Sequence, residues 1–179
     1  GPEGIAIKDD WNWSRSNLFY GLPFYHLGAR ATHGAGEKHA FTLAAYNGWN
    51  NIEDNNDRPS ISAQWLATYN PKLKSSLLYF GGDERSTGAP EGDPRRDLLD
   101  AWTQWDVSDR VSLLLHGDVG RERNNYGTSS WSAAALAVRG KLAERWYLAA
   151  RTDRFVEKVP EGASPIFWSF ASDRPRRHV

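Results

Sequence analysis

The feature that most constrains this chain is a rhythm of strands and unequal connections. Eight segments, near residues 24–33, 39–49, 60–69, 74–82, 96–107, 110–121, 129–140 and 145–155, alternate apolar and polar residues at strand length. The connections between them alternate too. "GAGEK", "NPKLK", "SDR" and "AER" are minimal turns, whereas "NNIEDNNDRP", "DERSTGAPEGDPR", "ERNNYGTS" and "KVPEGASP" are longer and polar. An antiparallel meander delivers its odd connections to one end and its even ones to the other. A smooth end and a looped end are therefore expected, in an all-β, antiparallel up-and-down barrel or a large section of one.

The alternation assigns faces. In the third segment Ile61, Ala63, Trp65, Ala67 and Tyr69 share one side, with Ser62, Gln64 and Thr68 on the other. The fifth sets Leu99, Ala101, Trp105 and Val107 against Asp100, Gln104 and Asp106; the sixth sets Val111, Leu113, Leu115 and Val119 against Ser112, His116 and Asp118. The fourth and seventh ("SSLLYF", "SAAALAV") alternate poorly and leave their faces open.

Short turns at one end and long loops at the other are the habit of outer-membrane barrels, whose tilted strands of about ten residues cross the bilayer. The chain carries nine Trp, seven Tyr and seven Phe. Tyr69, Trp105, Trp146 and Tyr147 fall beside short turns and Trp49, Tyr79, Phe80 and Trp131 beside long loops, with Tyr25 at the looped end, where two interfacial belts of amphipathic rings are expected. A mean hydropathy of −0.65 is no obstacle, because the lumen face and loops of such a barrel are polar. A soluble up-and-down barrel or sandwich shares the same period, with its apolar face turned inward. Periodicity leaves that alternative standing; the rings and the loop asymmetry favour the membrane.

Composition excludes several classes. Twenty-two basic residues balance 22 acidic ones, so no bulk field points to nucleic acid. No phosphate-binding or dinucleotide glycine motif is present, and the absence of Cys removes disulfides and cysteine–zinc sites. No apolar run is long enough for a transmembrane helix. The chain has no Met and begins at Gly1, which suggests a processed or excised piece.

Particular residues carry a family resemblance. Gly1, Glu3, Gly4, Asn12, Ser14, Arg15, Ser16, Pro23, Phe24, Tyr25, His26 and Gly28, followed by Tyr46, Asn47, Gly48, Trp49 and Asn50, resemble the β-barrel porin family of OmpL-like type from Gram-negative bacteria. Asp100, Arg151 and Asp153 fit its later strands. The likeness runs over roughly residues 1–168 and implies a porin of the bacterial outer membrane, in contact with lipid and lipopolysaccharide. Members are longer, which implies strands beyond both ends of this chain. The basic "SFASDRPRRHV" departs from the pattern. The organisation expected is a leading segment over 1–23, barrel strands over 24–168 and an irregular basic tail over 169–179.

The residues expected on the lumen face are Arg30, Gln64, Asp100, Gln104, His116, Asp118, Arg151 and Asp153. They would line a pore of nearly balanced charge, or pair across strands and brace the wall. Trp11, Trp13 and Arg15, in the segment before the first strand, form a constriction if that segment enters the lumen, and an ordinary surface loop if it does not. Glu53, Asp54 and Asp57 offer hard oxygen ligands suited to calcium, without EF-hand spacing; a solvated loop is the simpler account. Catalysis would need a Ser beside a His. His116 shares its face with Ser112, but four strand residues place them too far apart for contact, and no nucleophile motif occurs. The expectation is a non-enzymatic channel for small hydrophilic solutes, without a cofactor. The alternatives are a soluble β-barrel or sandwich that binds a carbohydrate-like ligand and a small, non-conducting structural membrane barrel.

Overall fold

The computed structural model describes residues 1–4, 6, 8 and 10–167. The expected basic tail over 169–179 lies outside them. Eight strands form one sheet in sequence order, every neighbour antiparallel: β1 (Gly28–Ala35), β2 (His39–Tyr46), β3 (Ser60–Asn70), β4 (Leu73–Asp83), β5 (Arg95–Asp106), β6 (Val111–Asn124), β7 (Gly127–Ala143) and β8 (Trp146–Lys158). The up-and-down meander is thus realised, with β1 and β8 as the two edges of an open sheet. A single short helix, α1 (Asn17–Tyr20), precedes β1, its N-terminus capped by the Ser16 hydroxyl, which accepts the Phe19 N–H.

The connections mostly obey the expected rhythm. Residues 36–38, 71–72, 107–110 and 144–145 are short, and 47–59 and 84–94 are long. The third expected loop is a correction. The stretch "ERNNYGTS" is largely strand, and the β6–β7 hairpin turns at residues 125–126. Its tip is held beyond its neighbours, because the Asn125 N–H donates to the Glu91 carbonyl and Asn125 Nδ2 to the Pro90 carbonyl. Pairing with the β4–β5 loop lets the ladder continue where free loop was expected. The first strand begins later than expected, at Gly28. Residues 24–27 are held instead by Asn50, whose Oδ1 accepts the Phe24 N–H at 2.6 Å.

The two faces of the sheet differ sharply. Segment 1–27 and the long loops lie against one face, the covered face. The opposite, bare face exposes Leu43, Ile61, Leu77, Leu99, Leu115, Val119 and Leu148, each between 41% and 67% accessible. A soluble barrel would bury this set. Here the apolar half of each alternation points away from the packed side, which removes the inward-apolar alternative.

Register stacks the covered face in layers. Arg96, Glu122 and Ser129 align across β5, β6 and β7; below them come Phe80, Leu98, Gly120 and Trp131, then Leu78, Asp100, Asp118 and Ala133. The apolar core is the second layer: Phe80, Leu98, Trp131 and Phe167, with Tyr46, Trp49 and Phe155 packed around them. Trp49 meets Trp131 edge-on at 6.2 Å and Phe80 at 5.5 Å. Such aromatic pairs contribute about 0.5–1.5 kcal/mol beyond area burial. Three of the expected interface rings are therefore placed inside: Phe80 is 2% and Trp131 3% exposed, and Trp49 packs against both. The fourth strand alternates too poorly to show that Phe80 would gather them inward. Tyr69, Trp105 and Trp146, by contrast, stand exposed on the bare side beside the short turns.

Candidate functional site on the covered face

Of the eight expected lumen residues, Gln64, Asp100, Gln104, His116, Asp118, Arg151 and Asp153 lie against the packed material of the covered face. Arg30 has the same face parity through its register with Ala44, but stands exposed on the edge strand. Gln64 spends its amide on a cross-strand bond, Nε2 donating to Ser76 Oγ at 3.0 Å.

The strongest gathering is on β5 and β6. Asp100 and Asp118 face each other directly across the ladder. His116, two residues from Asp118 on the same face, approaches Asp100 Oδ2 with Nε2 at 2.5 Å. All three are buried, at 2%, 6% and 2% exposure. Ser112 does not join them: its hydroxyl donates to Asp106 Oδ1 at 2.6 Å. Among the described residues no serine is hydrogen-bonded to His116, whose Nε2 meets Asp100.

Arg151 holds the leading segment. Its guanidinium donates to the Ser14 carbonyl at 2.5 Å, to the Arg15 carbonyl at 2.7 Å and to Glu3 Oε1 at 3.2 Å. Glu3 in turn accepts the Ser16 N–H at 3.0 Å and the Ser16 hydroxyl, and Asn17 Nδ2 donates to Asp153 Oδ1 at 3.0 Å. Glu3 and residues 14–17 are thereby tied to β8. Trp11 enters the packing, with the Arg139 guanidinium 4.5 Å from its ring. Trp13 remains 86% exposed. Arg15 donates to the Gly4 carbonyl at 3.3 Å and lies 4.4 Å from the Phe19 ring. What remains between segment and strands is a cavity of about 90 Å³, bordered by Glu3, Trp11, Gln104, His116 and Arg151.

Sequence reasoning did not foresee the β7 alanines. Ala133, Ala135 and Ala137 face Asp118, His116 and Leu114, and Ala135 and Ala137 border the cavity. Small side chains there leave the space that the leading segment fills. The flat run "SAAALAV" was the signal.

At the looped end an ion network closes the face. Arg96 donates to Glu122 Oε2 at 2.6 Å, and Arg85 reaches Glu122 at 2.9 Å and Glu91 at 3.6 Å. Glu84 Oε2 accepts the Trp49 N–H at 2.6 Å and Oε1 the Ser60 hydroxyl at 2.5 Å. Burial pushes the Glu84 carboxyl above its ordinary range, against the pull of these bonds and of Arg96. His26, stacked on Tyr46 at 4.3 Å, is lowered by burial, partly offset by the Gly48 carbonyl. The mouth beside this network is an open cavity of about 580 Å³ bordered by Tyr20, Phe24, Trp49, Arg85 and Phe167. The calcium candidates Glu53, Asp54 and Asp57 do not converge. Asp54 Oδ1 accepts the Asn56 N–H, and the acidic loop is laced to the β4–β5 loop through Asn55 and Asn56.

The family model described as "Putative beta-barrel porin-2, OmpL-like" matches residues 1–164. The chain belongs to this family. No curated protein matches it, and no solved structure does. The family match spans both the leading segment and the strands it packs on, so the two are parts of one family unit.

Proposed function

We propose that this chain builds the wall of a bacterial outer-membrane porin through which small hydrophilic solutes diffuse passively. The observation that carries the reading is the opposition of faces: exposed leucines and valines on one side, and Gln64, Gln104, Arg151 and Asp153 on the other. A bilayer accepts the first and excludes the second. Passage needs no covalent chemistry; the width and charge of the lumen set the rate. With both signs of charge present in near balance among the expected lumen residues, strong charge selectivity is not expected. The loops over 47–59 and 84–94 would face the lipopolysaccharide layer.

One observation favours a second reading, a non-conducting structural barrel. The leading segment occupies the middle of the covered face and leaves only about 90 Å³ there.

Reconstitution into planar bilayers and sugar-loaded liposomes decides between them. Stepwise conductance and swelling by small sugars support diffusion. Insertion with a heat-modifiable gel shift but no conductance supports the structural barrel.

A further inference from the structure

Asp118 is a buried carboxylate whose oxygens make no geometrically formed hydrogen bond. Both its oxygens are shielded from solvent and accept no hydrogen bond, while the residue is 2% exposed. Directly across the ladder stands a second carboxylate, Asp100. Like charges paired this way oppose each other, and burying an uncompensated charge costs several kcal/mol or more.

The cations of the neighbourhood are committed elsewhere. Arg96 serves Glu122. Arg151 serves Glu3, Asp153 and the Ser14 and Arg15 carbonyls. The Gly1 nitrogen stands 4.0 Å from Asp100 Oδ1. The His116 imidazole approaches Asp100 as well. The Trp131 indole N–H, from the layer above, interacts with Asp118 but does not reach hydrogen-bond geometry.

The three side chains nonetheless converge. One donor atom from each of Asp100, His116 and Asp118 lies within 4.8 Å of the other two. A divalent ion bound at about 2.0–2.2 Å from nitrogen and oxygen ligands fits among them after small side-chain rotations.

We infer that Asp100, His116 and Asp118 form a lumen-side binding site for a divalent first-row transition ion of the zinc type. One imidazole with two carboxylates suits such an ion better than magnesium or calcium, which prefer all-oxygen sets. Three protein ligands leave a fourth position open. His116 borders the 90 Å³ cavity, so that position is supplied with water, the arrangement of an exchangeable rather than a closed site. The ion bridges β5 and β6 beneath the aromatic layer and neutralises the carboxylate pair. The inference holds whether or not the lumen conducts.

The test uses tag-free protein folded in detergent, stripped with chelator and titrated with zinc chloride by calorimetry, with cobalt as a spectroscopic probe. One zinc per chain and a cobalt spectrum of nitrogen–oxygen, low-coordinate type are expected in the wild type. Asp118→Asn and His116→Gln, each checked for the heat-modifiable folded form, should weaken zinc by more than about 100-fold, since outer-shell partners alone account for about 10–100-fold. Absence of stoichiometric zinc in the folded wild type overturns the site. Binding that survives in both folded variants overturns it equally and assigns the ion to surface histidines.

Discussion

The Trp131 indole lies across Gly120, so close that a Cβ on residue 120 would fall 2.0 Å from the ring. The requirement is steric. Gly120 and Trp131 are register partners on the covered face, and the missing side chain lets the ring reach Trp49 and Phe167. Gly120→Ala forces the ring out of the aromatic layer. Urea unfolding of the refolded protein should show a loss of about 1–3 kcal/mol, the usual cost of overpacking, with red-shifted tryptophan emission. An unchanged midpoint and spectrum would mean that the ring does not rest there.

Glu122 is fully buried between two guanidiniums, Arg96 and Arg85. Glu122→Gln leaves both facing a neutral amide. Breaking a buried pair from one side costs about 3–5 kcal/mol. Because Arg85 and Glu91 tie into the same network, the double variant Arg96→Met/Glu122→Leu should be less damaging than Glu122→Gln. Equal damage in both would show that packing, not charge, carries the stability.

The looped end should respond to pH through Glu84. Its folded carboxyl sits above the ordinary 4.5, so between 4.5 and the folded value the folded state binds more protons than the unfolded. The contribution is present in full below 4.5 and is lost as pH rises through the folded value. His26, depressed below 6.5, acts oppositely: its contribution is present above 6.5 and lost as pH falls through its folded value. Hydrogen exchange at the Trp49 amide should speed up as pH rises past 4.5, after correction for intrinsic rates. Glu84→Gln should abolish that slope while leaving the His26 slope intact.

Arg151 is the clamp on segment 1–27. Arg151→Ala removes its bonds to Glu3, Ser14 and Arg15 together. The expected result is protease cleavage within the segment and, under the proposed function, a several-fold larger conductance. A segment that stays protected would show that Trp11 and the Asn17–Asp153 bond suffice to hold it.

Much of this architecture was legible in the residues, and the exceptions have physical causes. Strands β3, β5 and β6 alternate cleanly, so Ser62, Asp100, His116 and Asp118 were assigned to one face, and the structure places them there. The turn residues gave the rhythm of connections, except at β6–β7. There the Asn125–Glu91 bond is tertiary, and it extends a ladder that local composition marks as loop. Trp49 and Trp131 look like interface rings when only their distance from the loops is considered. Their inward position depends on Phe80 and Gly120, on strands whose faces were ambiguous or whose glycine signals nothing by itself. The packing of segment 1–27 was equally hidden, because it rests on contacts between Arg151 and main-chain carbonyls far away in sequence. Alternation reports which way a side chain points, not what covers it.

The central claim is that the bare face meets lipid and the covered face does not. The chain has no cysteine, so single cysteines introduced at Leu77, Leu99 and Leu115, and at Ser62, Ser76 and Gln104 for the other face, can each carry a bimane label in reconstituted vesicles. Quenching by brominated lipid at the first three positions and not at the last three is the predicted result. Labels at Leu77, Leu99 and Leu115 quenched by aqueous iodide and untouched by brominated lipid would contradict it.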